Sequence, residues 1–416
     1  MVDRTRSSSL AVSPPLDRTG DGHGPRPADS RPRIAVVHDW LCGYRGGEAV
    51  LDRIARVTLE LGQCAGLFVM VDDGRAVSPL IDALPRITSC LQEIPFAATR
   101  LRRHLLPLYP RAVADLSDRL ADEHRRRPLD LVISTSSAAV KGIRPPPGVP
   151  HLCYCHTPPR YLWSQQGQYA SQGVATRAGL ALAGPFLRSW DAQTADHVTA
   201  FLANSRHTAR EIRRCYDRDS QVIHPPVRTD YFTPDRSRPR EDFWLLAGAL
   251  EPYKRAELAI EAAWVADARL VIAGGGSMLS TLRRRYRAPG VSFLGRVSDE
   301  HLRDLYRRAA LLLFPQVEDF GITAVEAQAC GLPVLARRAG GAVETVLEGV
   351  TGAFFDSPVP SAIASAAVRI PREATDQCRL NALRFSESTF DASMRLSVCN
   401  LIGLRHNGLS SRAANC

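Results

Sequence analysis

The sequence predicts an α/β protein made of two doubly wound, Rossmann-like domains, each built on a parallel sheet. Apolar runs typical of buried parallel strands alternate with amphipathic helical stretches along the whole chain. The 416 residues are enough for two domains with separate cores. The apolar pattern lapses near residues 226–240, which are rich in proline, arginine, serine and aspartate. We therefore expect domains at 32–228 and 229–388, followed by a C-terminal segment, 389–416.

Composition limits the partners that the protein can have. A hydrophobic content of 45% and a charged content of 23% are ordinary for a soluble globular protein. The net charge of +10, carried mostly by arginine, suits a nucleotide diphosphate, a phospholipid surface or a nucleic acid. No recognition motif accompanies the arginines, so we expect no nucleic acid. The ten cysteines are scattered without a C-x2-C pair, which favours free thiols in a reducing compartment over disulfides or a metal.

Residues 1–31 are rich in serine, proline, arginine, aspartate and glycine, and they lack the apolar core of a signal peptide. We expect a disordered tail there. No apolar run reaches the roughly 20 residues that a membrane-spanning helix needs. The sequence thus predicts a cytoplasmic protein, either free or peripheral on the inner face of the cell membrane.

The first strand of the first domain, residues 34–40, is followed by a loop containing Gly46 and Gly47 and by a helix from about Glu48. A glycine pair between a strand and a helix lets a ligand approach the backbone, although a plain tight turn is an equal alternative. Further strands are expected at residues 65–71, 87–89 and 129–135.

A basic amphipathic segment, residues 95–113, lies between the third and fourth of these strands. Two interpretations stay open: a helix with a solvated basic face, or a segment that lies on an anionic bilayer. Its apolar residues are Phe96, Leu101, Leu105, Leu106, Leu108 and Tyr109, and its basic ones are Arg100, Arg102, Arg103, His104 and Arg111.

The next strand, residues 152–155, ends at His156, which is followed by TPPRYLW. A histidine at the mouth of a parallel strand is well placed for chemistry, although a structural histidine is the commoner case. A helical stretch, residues 171–195, and a strand with a capped helix then complete the first domain.

The second domain begins with a strand at residues 243–247 and a helix from about Ala256. Lys254 precedes that helix, where its ammonium and the helix dipole can both face a diphosphate. Gly274 opens a glycine run after the next strand, which is weak evidence for a phosphate site on its own.

The most informative stretch is residues 311–335, an apolar strand, a short loop and a helix that stops at Gly331. Glu318 lies in the loop at the carboxyl end of the strand, where open α/β sheets bind ligands. Glu326 lies about one turn into the helix. The free N–H groups near Phe320 suit an anion. Taken alone, Glu318 is better explained as a solvated loop carboxylate or a helix cap than as a ligand-binding group.

Several residues of this stretch together resemble the E-x7-E signature of the retaining glycosyltransferases of family GT4. They are Pro315, Glu318, Phe320-Gly321, Glu326 and Gly331-Leu332-Pro333. The resemblance covers about residues 33–400. It implies the GT-B fold, in which two Rossmann-like domains face each other across a cleft and a last helix returns to the first domain.

The resemblance also implies roles for individual residues. Glu318 meets hydroxyls of the donor sugar, Glu326 holds the ribose, and Lys254 neutralises the leaving diphosphate. The family pattern has an arginine at the position of Ala249, and Arg255 is the candidate substitute. The implied donor site consists of Gly46, Gly47, Lys254, Arg255, Gly274, Arg296, Val297, Glu318, Phe320, Gly321, Ile322 and Glu326.

The string YCHTPPRYLW resembles a sub-group of GT4 mannosyltransferases that act on bacterial surface polysaccharides and O-antigens. It implies a catalytic His156, with Lys254 and Glu318. It places Arg160, Tyr161 and Trp163 on the acceptor side. The sub-group implies GDP-mannose as donor, a lipid-linked saccharide as acceptor, contact with an anionic membrane, and no metal. A UDP-sugar transferase, a GT-B epimerase and a catalytically silent GT-B partner protein are the alternatives.

Overall fold

The computed structural model describes residues 31–102, 105–164, 174–287 and 289–403. The expected disordered tail lies outside the described residues apart from Arg31, and so does the end of the chain from residue 404. The nine cysteines in these ranges are all free thiols, as the sequence predicts.

The first lobe is built on a seven-stranded sheet with the order β3-β2-β1-β4-β5-β6-β7, in which all pairs are parallel. The order reverses beside β1, so a crevice opens next to β1 and β4 at the carboxyl ends of the strands. The strands are β1 (Arg33–Leu41), β2 (Gln63–Asp72), β3 (Arg86–Thr88), β4 (Leu131–Ser136), β5 (His151–Cys155), β6 (Ala200–Ala203) and β7 (Ser220–Val222).

The second lobe is built on a six-stranded parallel sheet with the order β10-β9-β8-β11-β12-β13. Its order reverses between β8 and β11. The prediction of two doubly wound parallel sheets is therefore confirmed. The strands are β8 (Trp244–Ala247), β9 (Leu270–Ala273), β10 (Val291–Gly295), β11 (Leu311–Phe314), β12 (Val334–Arg337) and β13 (Gly352–Phe355).

Helices cover both faces of each sheet, which is why the strands are apolar almost throughout. The helices that accompany the first sheet are α1 (Gly46–Leu61), α2 (Pro79–Asp82), α3 (Tyr109–Arg126), α4 (Val174–Gln193) and α5 (Arg206–Tyr216). Those that follow along the chain are α6 (Ala256–Val265), α7 (Leu279–Arg285), α8 (Asp299–Arg308), α9 (Ile322–Ala329), α10 (Ala342–Thr345), α11 (Pro360–Ala367), α12 (Thr375–Leu383) and α13 (Glu387–Ile402).

The last helix, α13, packs on the first lobe rather than on the second. Phe390, Met394 and Val398 are buried in the core beside β1 and α1. The ring of Phe390 meets the ring of Tyr154 edge-on at 5.7 Å. An ion pair between Arg395 and Glu60 at 2.6 Å adds a partly exposed contact to α1. The chain thus passes from the first lobe to the second between β7 and β8, and it returns to the first lobe at α13.

The basic segment 95–113 is not one amphipathic helix. A helical turn at Ala97–Leu101 and another at Leu106–Leu108 precede α3. Phe96 has a left-handed φ of 62°, and Pro107 has no N–H to continue a helix. Arg102 lies over the ring of Trp40 at 4.6 Å from its centroid, so its charge is stacked rather than simply solvated. Arg103 and His104 lie outside the described residues.

The structure also bears on the membrane question. Within the described ranges, no helix has both the length and the apolarity needed to cross a bilayer.

Candidate functional site

The acidic loop, residues 315–321 between β11 and α9, carries Glu318 and Asp319, and glycines fix its conformation. Gly321 caps α9 with a left-handed φ of 93°, and an added Cβ there would come within 2.9 Å of the Phe314 ring. The N–H of Gly341 donates to the carbonyl of Glu318 at 2.8 Å. A Cβ on Gly341 would lie 2.3 Å from the Cα of Phe320. The neighbouring loop therefore packs directly on the backbone that carries Glu318.

The ammonium of Lys254 donates to Oε1 of Glu318. The same oxygen accepts a hydrogen bond from the side-chain amide of Gln316 at 3.0 Å. Lys254 is held at the end of a short turn, Pro252–Lys254, and the Arg255 cap that follows has a φ of 54°. The structure thus brings together two residues that the sequence assigns to catalysis. The charges of the two side chains neutralise each other.

The first residues of helices α1 and α9 lie against each other next to the acidic loop. The helix α1 begins at Gly46, rather than near Glu48 as expected, because the carboxylate of Glu48 accepts the N–H of Arg45 at 2.9 Å and caps the first turn. A Cβ on Gly46 would lie 3.2 Å from Cδ1 of Ile322, the first residue of α9. Because first-turn N–H groups lack helical partners, this junction can bind an anion. Gly47, the next residue of α1, packs against the imidazole of His38.

Glu326 follows one turn into α9 and is partly exposed. Burial raises the pKa of its carboxyl to about 7, although the nearby Arg228 guanidinium acts in the opposite direction. Glu326 is therefore poised to change its charge near neutral pH. The side chain of Phe320, by contrast, is buried against Phe385 and His224, so only its backbone can contact a ligand.

A cleft of about 1390 Å³ separates the two lobes. Of the predicted donor residues, Arg255, Gly274, Arg296 and Val297 line it, and so does Ala249. A Cβ on Gly274 would lie 1.8 Å from the carbonyl oxygen of Gly248, so position 274 admits only glycine. The cleft is the natural place for a small, charged ligand.

The sequence reasoning missed Asp319, which follows Glu318. Its carboxylate forms an ion pair with Arg160 of the first lobe, and His207 lies 3.9 Å away. Arg160 also lines the cleft. Single sequence positions carry no signal for such a contact, because the two residues lie far apart along the chain.

Glu344 of the second lobe also joins the two lobes. Its carboxylate accepts the N–H groups of Arg206 and His207 at the start of α5, at 2.9 and 3.0 Å. His224 lies 3.3 Å from the same carboxylate. Burial opposes ionisation, but these hydrogen bonds together lower the pKa of Glu344. The contact fixes the start of α5 to the second lobe.

His156 lies at the carboxyl end of β5, where its Nε2 is 2.7 Å from the hydroxyl of Thr135. Burial, and then the neighbouring His38, lower its pKa to about 3. His38 was not singled out by the sequence reasoning. It is buried, and its Nδ1 has no hydrogen-bond partner in the described part of the chain. Burial also lowers the pKa of His38. Both imidazoles are therefore neutral near pH 7.

The two aromatic residues assigned to the acceptor side occupy different surroundings. The indole N–H of Trp163 donates to Asp191 at 2.7 Å. Asp191 also accepts the hydroxyl of Tyr216 at 2.9 Å and pairs with the buried Lys141 at 3.0 Å. Tyr161 is partly buried against the apolar cluster that includes α3. Trp163 is thus tied into a buried polar cluster.

Two family models match successive parts of the chain. The model for Glycosyltransferase Family 4 matches residues 79–231, and the model for Glycosyl transferases group 1 matches residues 227–375. The chain therefore belongs to the family 4, group 1 glycosyltransferases, and the expected GT-B fold is confirmed.

Individual relatives agree with this assignment. The chain is 32% identical over 219 residues to a D-inositol 3-phosphate glycosyltransferase of Mycolicibacterium gilvum, with 47% of this chain and 50% of the relative covered. It is 35% identical over 191 residues to a GDP-mannose-dependent alpha-(1-6)-phosphatidylinositol monomannoside mannosyltransferase of Mycolicibacterium smegmatis, with 39% and 50% covered. The chain spans about half the length of these relatives.

The fold comparison extends over more of the chain. The sucrose-phosphate synthase of Thermosynechococcus elongatus superposes with a TM-score of 0.69 over 90% of this chain and 100% of that one. At 18% identity, this likeness concerns the fold alone.

Proposed function

We propose that the protein is a retaining hexosyltransferase that binds a nucleotide sugar in the cleft and passes the sugar to a saccharide hydroxyl. One observation carries the proposal. The ammonium of Lys254 and the carboxylate of Glu318 lie together beside the junction of α1 and α9. An anion and a polyhydroxylated group can therefore be held side by side.

In the proposed binding step, Lys254 exchanges Glu318 for the diphosphate of the donor. The freed carboxylate of Glu318 then accepts hydrogen bonds from vicinal sugar hydroxyls, which supply two donors to its two oxygens. Glu326 accepts hydrogen bonds from the ribose. The exchange replaces one ion pair of Lys254 with another, and the partly buried carboxylate of Glu318 keeps hydrogen-bond donors in place of its cation.

In the transfer step, the bond between the anomeric carbon and the β-phosphate oxygen breaks, and its electron pair stays on the diphosphate. The acceptor oxygen forms a bond to the same face of the anomeric carbon, and its proton passes to the departing phosphate oxygen. The products are a glycoside and a nucleoside diphosphate. Lys254 and the N–H groups at the start of α9 stabilise the developing charge. His156, being neutral, orients a sugar or acceptor hydroxyl.

GDP-mannose is the favoured donor. The YCHTPPRYLW string supports it, and one relative is named as GDP-mannose-dependent. UDP-sugars are the alternative, since the contacts to ribose, diphosphate and sugar do not depend on the base.

The favoured acceptor is a lipid-linked saccharide of cell-surface polysaccharide synthesis, reached at the cytoplasmic face of the membrane. A relative named for a phosphatidylinositol-linked acceptor supports this class. So do two apolar side chains of the first lobe, Phe96, which is 65% exposed, and Leu108, which is 40% exposed. Co-sedimentation with phosphatidylglycerol vesicles tests the contact. Binding should weaken in Phe96→Ser, and equal binding of both proteins would contradict this role.

One observation favours a second candidate, a catalytically silent GT-B protein that binds a partner transferase. Ala249 lines the cleft where the family pattern has an arginine, so one expected cation is missing from that position.

A panel of nucleotide sugars separates these possibilities. The purified protein is incubated with GDP-mannose, UDP-glucose and UDP-N-acetylglucosamine, and binding and slow hydrolysis are recorded. We expect binding and hydrolysis of GDP-mannose. A response to UDP-sugars alone would overturn the donor assignment. Binding without hydrolysis, or without transfer to any acceptor, would favour the silent protein.

A further inference from the structure

Arg160 reaches from the first lobe to the acidic loop of the second. It follows β5, and its guanidinium pairs with Asp319. Its side chain is 24% exposed and lines the same cleft as Ala249. Arg160 therefore faces the space that the proposed donor would occupy.

Two cation–carboxylate pairs lie next to each other at this point. Lys254 pairs with Glu318, and Arg160 pairs with the following residue, Asp319. Burial alone would lower the pKa of the Arg160 guanidinium, but Asp319 and then Glu318 outweigh it, so the pKa is raised. Tyr253, the neighbour of Lys254, contributes in the same direction. Arg160 is thus a permanent cation close to the Lys254 turn.

We propose that Arg160 supplies the second cation of the leaving diphosphate, which Ala249 cannot supply; this inference rests on the proposed function. When the donor binds, the guanidinium turns from Asp319 to the diphosphate. Its planar donors suit two phosphate oxygens at once. Because Arg160 belongs to the first lobe and Lys254 to the second, the diphosphate then links the two lobes. As the sugar–phosphate bond breaks, its electron pair stays on the β-phosphate oxygen, and both cations stabilise the negative charge that develops there.

A purely structural role is the competing explanation, in which Arg160 and Asp319 only hold the lobes together. The two explanations differ in what Asp319 does. If the pair is a structural bridge, Arg160→Gln and Asp319→Asn remove the same interaction and should have the same effect. If Arg160 binds the diphosphate, Asp319 competes with the ligand. Asp319→Asn should then preserve or increase the affinity.

Isothermal titration calorimetry of the whole chain with GDP, UDP and GMP tests the inference. We expect Arg160→Gln to weaken binding of the diphosphate by about ten- to a hundredfold, and binding of GMP much less. Asp319→Asn should bind GDP at least as tightly as the wild type. Arg395→Gln is the matched control. Arg395 lies on α13, forms an ion pair with Glu60 and is about as exposed as Arg160. The Arg395→Gln variant should bind GDP like the wild type.

Other results would overturn the inference. Equal losses in Arg160→Gln and Asp319→Asn would identify a structural bridge. A loss in Arg255→Gln with none in Arg160→Gln would place the second cation at Arg255, which also lines the cleft. Wild-type protein that binds neither GDP nor UDP would overturn the proposed function itself. Thermal unfolding of each variant shows whether a loss reflects misfolding, and Arg160→Lys, which keeps the charge, should recover part of the affinity.

Discussion

Lys254 and Glu318 lie at the carboxyl ends of the neighbouring strands β8 and β11, and the ammonium of one donates to the carboxylate of the other. The strand order of the second lobe reverses between these two strands, which is where open α/β sheets bind their ligands. The pair is therefore placed by topology, although its members are far apart in the sequence.

Removing either member of this pair should abolish transfer without unfolding the protein. We expect Lys254→Ala and Glu318→Ala each to lower kcat by at least about a hundredfold, because each group acts on the transition state. Circular dichroism should remain unchanged. Arg395→Gln controls for the loss of an ion pair outside the cleft. Wild-type turnover in either alanine variant would refute the assignment.

The backbone of the acidic loop should be sensitive to a single methyl group. In Gly341→Ala the new Cβ would meet the Cα of Phe320 at 2.3 Å, so the loop must shift. We expect a loss of about 1–3 kcal/mol in the free energy of unfolding, together with a fall in transfer activity. Urea denaturation and initial rates measure both.

Gly179→Ala is the matched control, because nothing lies within 4 Å of a Cβ at that position in α4. It should turn over like the wild type and should be no less stable, because alanine favours a helix interior by about 0.5–1 kcal/mol over glycine. A Gly341→Ala variant that matched this control would show that the loop tolerates the shift.

Glu326 should make stability depend on pH. Its pKa is about 7 in the folded protein and 4.5 as the ordinary value, so the folded state holds the proton more tightly. Its contribution to the free energy of unfolding therefore falls as the pH rises from about 4.5 through about 7. The Gln side chain cannot ionise, so Glu326→Gln should gain stability relative to the wild type between pH 5 and pH 8. The expected gain is on the order of 1–2 kcal/mol. Urea denaturation at both pH values measures the free energy of unfolding of each protein. If the difference between Glu326→Gln and the wild type were the same at pH 5 and pH 8, this expectation would be wrong.

The indole of Trp163 is hydrogen-bonded to Asp191, so replacing Trp163 should lower the stability of the fold more than it changes acceptor binding. Trp163→Phe leaves one donor fewer for a buried carboxylate, and we expect a loss of about 1–2 kcal/mol in the free energy of unfolding. Tyr216→Phe removes another donor to the same oxygen and should cost a similar amount. Unchanged stability with a raised KM for the acceptor would instead place the indole at the acceptor, as the sequence resemblance implies.

The sequence was sufficient for the architecture because strand and helix signals are local. Apolar runs and the glycines that follow them predict where strands end, and parallel α/β topology fixes which ends form the crevice. For the same reason, Glu318 and Lys254 were singled out correctly as neighbours of strand ends. Whether they bind the donor stays a prediction.

Contacts between distant residues were not predictable in the same way. Neither Asp319 nor its partner Arg160 lies in a pattern that indicates an ion pair, and the capping of α5 by Glu344 joins elements far apart in the chain. The basic segment 95–113 was interpreted as one amphipathic stretch, although Pro107 and Pro110 were visible as signals against a continuous helix.

A crystal structure of the protein with bound GDP would show whether Lys254 and the start of α9 hold the diphosphate. We predict that the diphosphate lies at the start of α9, that Lys254 has moved from Glu318 to a phosphate oxygen, and that Glu326 contacts the ribose. Nucleotide bound outside the cleft, or a diphosphate in the cleft with Lys254 still paired to Glu318, would contradict it.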